Sequence, residues 1–199
     1  MKLYNHFCAS SFSNCYVLAS NGNALIIDPG CMDEDILNII EDNAYYIAGI
    51  LITHGHSSHI RGINTIKRIY KTEVYCISHV LRGQKTIHLR DGENLNISSF
   101  SIDVIAAPGH TPDSAIYRID RMLFTGDSLS AGLIGRTPSV YAASNQMTAL
   151  RGKILSLPGD YVILPGHGPP TTLETERQFN AGINSFEDYK ARRPVFKPL

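Results

Sequence analysis

The sequence predicts an α/β protein whose helices lie outside its sheets. Apolar strand-like runs alternate with amphipathic helical segments in two successive halves of the chain. "YIAGILIT" is almost continuously apolar, as a strand covered on both faces should be. No repeat, low-complexity tract or linker interrupts the 199 residues, so one domain spanning 1–199 is expected.

The elements follow in chain order. "CYVLAS" and "ALIID" flank "NGN", and Asn-Gly between two strand-like runs signals a hairpin, which "DPG" closes. In "DEDILNIIEDN", Ile36, Leu37 and Ile40 recur at helical spacing behind an acidic first turn. Ile60, Ile63, Ile66, Ile69 and Tyr70 recur at threes and fours, which predicts one amphipathic helix over "SHIRGINTIKRIY". The middle of the chain is β-rich: "EVYCIS", "TIHL", "NLNIS", "FSIDVIAA", "SAIYRI" and "RMLFTGD" are short runs divided by turn residues. "SNQMTALRGKILSL" is helical in pattern, "DYVILPGHG" is a strand ending at a glycine-flanked histidine, and "TTLETERQF" opens with a Thr-x-x-Glu capping box.

Charge excludes some partners. Lys plus Arg equals Asp plus Glu at 18 each, so no net field favours nucleic acid or an anionic membrane. The N-terminal segment lacks the basic start and apolar run of a signal peptide, and no segment reaches about 18 uninterrupted apolar residues. Cys8, Cys15, Cys31 and Cys76 form no CxxC pair and are sparse, which fits reduced thiols in a cytoplasmic enzyme.

The polar exceptions share one kind of position. "ILITHGHSSH", "VIAAPGHT", "LFTGDS" and "VILPGHG" each place His or Asp just beyond an apolar strand, beside glycine. Each motif is weak alone, since Pro-Gly marks turns anywhere and Asp after a strand is a common cap. Together they imply one shared rim offering His54, His56, His59, His110, Asp127 and His167. Divalent zinc or iron suits that set, because imidazole is a ligand for both and a carboxylate adds compensating charge. His6, His79 and His88 stand apart from these motifs and are assigned no role.

"THGHSSH", "APGHT", "TGD" and "LPGHG", in that order, resemble the metallo-β-lactamase fold superfamily, and "GLIGRTP" with "LPGHGPPTTLETERQFN" resembles its glyoxalase II-like branch. The resemblance implies an αββα sandwich, two mixed sheets with helices on both outer faces and a metal cleft at one edge. Matched to the family motif HxHxDH, His54, His56 and His110 correspond to the first metal site and His59 and His167 to the second, with Asp127 bridging. Ser58 stands where most members have a ligating Asp. A hydroxyl is a poorer ligand and removes a negative charge, so the second site should be weaker. Ser58 is also expected to cap the helix that follows it, and to orient attacking water only weakly.

The chemistry implied is metal-assisted hydrolysis, in which a metal lowers the pKa of water towards about 7 and polarises the carbonyl under attack. The resemblance points to a small acyl-thiol or ester as substrate, with Zn2+ well held at one site and Fe2+ as another candidate metal. Full-length glyoxalase II carries a C-terminal helical region for glutathione; here the tail offers Lys190, Arg192, Arg193 and Lys197, a pattern more often found on a solvated basic tail. Two other readings are a persulfide dioxygenase with iron on His54, His110 and Asp127, and a metal-binding relative weakened in catalysis. A nucleic-acid-processing enzyme is disfavoured by the short chain and balanced charge.

Overall fold

Side-chain alternation along two adjacent strands divides the molecule into layers. Strand β2 (Ser13–Ser20) and strand β3 (Asn23–Ile27) are buried on both faces in the computed structural model, which describes residues 1–81 and 83–184. Tyr16, Leu18, Leu25 and Ile27 point one way, into a core shared by two sheets. Val17, Ala19, Ala24 and Ile26 point the other way, into a core shared with helices. The period of two in a strand makes this division automatic once both faces are covered.

The first sheet runs β1 (Lys2–Cys8), β2, β3, β4 (Tyr46–Leu51), β5 (Val74–Cys76) and β6 (Ile87–His88), in that spatial order. β1, β2 and β3 are antiparallel, whereas β3 through β6 pair in parallel. The turn between β2 and β3 carries positive φ at Asn21 and Gly22, as the Asn-Gly hairpin requires. The second sheet runs β7 (Asn94–Ile97), β8 (Phe100–Ala106), β9 (Ala115–Ile119), β10 (Met122–Gly126), β11 (Val162–Pro165) and β12 (Thr171–Thr172). Only β10 and β11 are parallel there. Residues Val80–Leu81 with Gln84–Lys85, and Leu129–Ser130 with Leu133–Ile134, make two small separate ladders.

Helices cover both outer faces. Helix α1 (Glu34–Glu41) is capped by Asp33, whose side chain accepts from the Ile36 N–H, and buries Ile36 and Ile40 on the first sheet. Helix α4 (Val140–Ala149) starts at the Ser139 cap, continues as a π-helical segment over Leu150–Leu155, and buries Met147, Leu150 and Ile154 on the second sheet. Tyr117, Phe100, Phe124 and Leu164 complete the inter-sheet core. The expected αββα sandwich of two mixed sheets is therefore the fold.

Three local expectations are corrected. "SHIRGINTIKRIY" forms two helices, α2 (Ser57–Ile60) and α3 (Ile63–Ile69), because the Gly62 N–H turns away to donate to Pro29 O at 2.8 Å. Ser58 does not cap: His56 occupies the cap position without a side-chain bond, and Ser58 lies inside the first turn. Helix α5 (Leu173–Phe179) is capped by Thr172 on the Thr175 N–H, so Thr171 and Glu174 close no Thr-x-x-Glu box; Thr171 Oγ1 donates to Glu176 instead. No helix among the described residues is long and apolar enough to cross a membrane. Lys190, Arg192, Arg193 and Lys197 lie outside the described residues.

Candidate metal centre

The cleft sits where the strand ends of both sheets meet. Ala115 N donates to Thr53 O at 2.8 Å and Tyr117 Oη donates to Ile52 O at 2.7 Å, tying the end of β4 to the start of β9. Asn14 at the head of β2 donates through N to Gly166 O and through Nδ2 to Pro165 O and Gly168 O. These bonds fix the loop after β4 to β9 and the loop after β11 to β2. A rigid rim with side chains on its loops results.

Four donor atoms converge on one point of that rim. His54 Nε2 and His110 Nε2 stand 3.0 and 3.1 Å from His56 Nδ1, and Asp127 Oδ2 lies 3.7 Å from His54 Nε2 and 3.4 Å from His110 Nε2. Ligands about 2.0–2.1 Å from a tetrahedral ion lie about 3.3 Å apart, so this spacing fits one cation. A second group shares the carboxylate: His59 Nε2 is 3.4 Å from Asp127 Oδ1 and His167 Nε2 is 3.5 Å from Asp127 Oδ2. All six side chains singled out from the sequence are thus brought together, in sets of four and three donors with Asp127 in both.

The hydrogen bonds behind the imidazoles turn their Nε2 atoms into the cleft. His110 Nδ1 donates to Arg136 O at 2.8 Å and His167 Nδ1 donates to Phe12 O at 2.6 Å, since a carbonyl can only accept. Thr53 Oγ1 donates to Asp28 Oδ2 at 2.6 Å and so accepts from His54 Nδ1 at 3.1 Å. His59 Nδ1 donates to the same Asp28 oxygen at 3.1 Å. Four rings are therefore anchored at Nδ1 and present Nε2, an arrangement that fixes tautomer and orientation of metal-ligating histidines.

Two buried atoms of the cleft have no hydrogen-bond partner among the described residues. His59 Nε2 and Asp127 Oδ1 face each other with no hydrogen bond in good geometry. Leaving such groups unsatisfied is costly, and a cation between them would satisfy both. The donor set therefore fits a divalent metal.

Electrostatics treat the two donor sets differently. Burial, helped by the neighbouring His59, pushes His54 down to about 4, which keeps its ring neutral and able to ligate. Burial works against a charged His59 as well, but the carboxylates of Asp28 and Asp127 outweigh it and raise the ring to about 10, so an ion at the second set has to displace a proton from His59 Nε2. Burial would also raise Asp127, yet His59, whose Nε2 faces Oδ1 at 3.4 Å, holds it well below the usual carboxylate range.

Glycines make room at two positions. Gly126 adopts φ +50 immediately before Asp127, and a Cβ there would lie 2.3 Å from Thr53 Oγ1. A Cβ on Gly166 would lie 2.5 Å from both Asp127 Oδ1 and His59 Cε1. Only glycine lets these backbones approach so closely.

Residues 10–167 match the Metallo-beta-lactamase superfamily. The chain belongs to that superfamily. Its relatives include Probable metallo-hydrolase YqgX of Bacillus subtilis, 32% identical over 87% of this chain and 93% of that protein. Hydroxyacylglutathione hydrolase GloC of Haemophilus influenzae is 29% identical over 82% of this chain and 88% of that one. The crystal structure of the BLEG-1 B3 metallo-beta-lactamase superposes with a TM-score of 0.83 at 26% identity, covering 92% of this chain and 99% of that chain.

Asp28, Thr53 and Arg136 escaped the sequence reading. Asp28 follows the apolar run "ALII" much as Asp127 follows "MLFTG", so the same rule of a polar residue beyond an apolar strand would have found it. Arg136 lines the cleft with His110, Gly126, Asp127, Ser130, Gly135 and His167 around a cavity of about 280 Å3. Its side chain is exposed and makes no ion pair among the described residues. Ser58 is half-buried beside His59; its carbonyl accepts from Ser13 Oγ at 2.6 Å.

Proposed function

We propose that this member of the superfamily is a metal-dependent hydrolase that cleaves a small acyl-thiol or a related ester. The observation that carries the reading is the convergence of four unencumbered donors, His54, His56, His110 and Asp127, beside a solvent-open cavity. These four would hold the principal ion, Zn2+ in this reading, with Fe2+ as the competing occupant. His59 and His167, sharing Asp127, would hold a second ion less firmly, because that set has three donors where the first has four.

When bound, the metal supplies Lewis acidity to a carbonyl oxygen and acidifies a water to near neutrality. The chain's own residues do the rest. Asp127 turns Oδ2 towards His54, His110 and His167 and Oδ1 towards His59, and while it stays ionised it can accept a hydrogen bond from the attacking water. Ser58, a neutral residue beside His59, can contribute only a weak hydrogen bond to that water. The buried His54 and Thr53 wall off the strand side of the cleft, and His167 stands at its mouth with a side chain 41% exposed. Arg136 at the rim would pair with an anionic group on the acyl-thiol. Four free cysteines suit the reducing cytoplasm, the location this reading assumes.

The hydroxyacylglutathione hydrolase relative supports a thioester substrate by analogy of sequence. An iron dioxygenase built on His54, His110 and Asp127 alone would leave His56 Nδ1 idle 3.0 and 3.1 Å from two of its ligands, which favours the hydrolytic reading. The test is thiol release from a panel of acyl-glutathiones and other acyl-thiols by zinc-loaded protein. Turnover that disappears in Asp127→Asn supports the reading. No thiol release with zinc or with ferrous iron, or oxygen uptake on a persulfide by the iron form, overturns it.

A further inference from the structure

A second set of metal-binding side chains lies on the helical side of the first sheet. The two-residue alternation of β1 puts His6 and Cys8 on one face, and Cys15, paired with His6 across the β1–β2 ladder, adds another buried thiol to that face. The loop between β3 and α1 brings Cys31 up against them. Ligand atoms of His6, Cys8 and Cys31 lie within 4.8 Å of one another. The three come from two segments separated in sequence, and their approach is held from outside by Asp33: its Oδ2 lies 2.8 Å from His6 Nε2 and accepts from Cys31 Sγ at 3.3 Å, while its Oδ1 is fixed by the α1 cap.

We propose that His6, Cys8 and Cys31 form a metal site distinct from the histidine cleft, selective for a thiophilic cation and suited to zinc(II). Two sulfur donors and one imidazole are the ligand types that zinc takes in structural sites, and their softness distinguishes this site from the nitrogen and oxygen donors of the cleft. Asp33 is its positioning residue, holding the imidazole, while the Cys31 thiol gives up the proton it donates to Asp33 when an ion binds. Cys8 is wholly buried and Cys31 half-buried, so an ion enters from the Cys31 side. The site would clamp β1 to the loop that supports the catalytic helices: the Cys31 carbonyl packs on Gly62, and Ser13, which pairs with Cys8, donates to the Ser58 carbonyl.

Cobalt(II) gives a readout specific to sulfur. Reduced, chelator-stripped whole protein is titrated with cobalt(II), and near-ultraviolet sulfur-to-cobalt charge-transfer absorption is recorded. The expected result is a saturable band that zinc(II) abolishes, that persists in His110→Ala, and that falls at least twofold in Cys31→Ser. His6→Gln, which leaves both thiols in place, should weaken cobalt binding at that band about tenfold or more. Thermal melts of both variants without metal check that each is folded. Absence of the band in the wild-type protein, or equal amplitude and affinity in both variants, overturns the proposal.

Discussion

Asp28 Oδ2 accepts from His59 Nδ1 at 3.1 Å, and both side chains are buried almost completely. The same carboxylate accepts from Thr53 N at 2.8 Å and from Thr53 Oγ1 at 2.6 Å, so it serves two imidazoles: His59 directly and His54 through the threonine hydroxyl. Its backbone sits at φ +50, which an aspartate tolerates better than most residues, and Asp28 N donates to Leu51 O. Removing this acid would leave the His59 Nδ1–H and the Thr53 O–H without their acceptor. Asp28→Ala is therefore expected to lower stability by about 3–5 kcal/mol, the usual effect of breaking a buried charged pair. Asp28→Asn, which keeps the shape, should lower zinc affinity about 10–100-fold. Urea unfolding and competitive zinc titration check the two expectations; wild-type values for both would show that Asp28 does not orient the rings.

Ser58→Asp is expected to raise occupancy at the set formed by His59, Asp127 and His167. That set has three donors, and a carboxylate at position 58 supplies a fourth together with a compensating negative charge. Fold should survive, because the polar contact Ser58 makes is through its carbonyl to Ser13 Oγ, which the substitution keeps. Metal counting by elemental analysis after equilibration with excess zinc should rise by up to about one ion per chain over the wild type. An unchanged count would mean that the hydroxyl is not what limits the second ion.

The strand-end rule explains what the sequence disclosed and what it hid. His54, His110, Asp127 and His167 were legible because each follows a run that a two-layer sheet must bury. Asp28 obeys the same rule but precedes Pro-Gly, and turn chemistry offered a sufficient local reason for it. The break between α2 and α3 was hidden for the opposite reason: Ile60, Ile63 and Ile66 are all buried, so apolar periodicity runs on unbroken while a tertiary hydrogen bond from Gly62 ends the first helix. The error on Ser58 follows from one residue of helix boundary, since α2 begins at Ser57. Phe12 and Arg136 orient His167 and His110 through backbone carbonyls, which any residue type could supply. No side-chain pattern could reveal them.

Gly166 is expected to be intolerant of even a methyl group. A Cβ there would sit 2.5 Å from Asp127 Oδ1, the oxygen that faces His59, so alanine would have to push the carboxylate shared by both donor sets. The loop cannot retreat easily, because Gly166 N donates to Gly126 O and its carbonyl accepts from Asn14 N, each at 2.8 Å. Gly166→Ala should cost about 1–3 kcal/mol in stability, as overpacking commonly does, and should weaken zinc binding. Gly152→Ala is the control, since a Cβ at that position meets nothing within 4 Å and alanine suits a helical segment. Thermal melts with and without zinc should separate the two variants; equal behaviour would show that the close approach at Gly166 is relaxed.

Arg136 offers two separable functions, one from its backbone and one from its side chain. The carbonyl holds His110 Nδ1 at 2.8 Å and is retained in any substitution, whereas the exposed guanidinium lies at the rim of the cleft without an ion pair among the described residues. Arg136→Ala should therefore leave metal content and kcat near wild type while raising KM about tenfold for an acyl-thiol that bears a carboxylate, corresponding to about 1.4 kcal/mol for one charge-assisted bond. A neutral acyl-thiol of similar size should show no such change. Arg136→Lys should recover part of the lost affinity, because it keeps the charge but not the planar two-point geometry. Steady-state kinetics on the two substrates distinguishes the outcomes: a fall in kcat with unchanged KM would place the effect on the His110 orientation, and an equal rise in KM for both substrates would remove the carboxylate from the explanation.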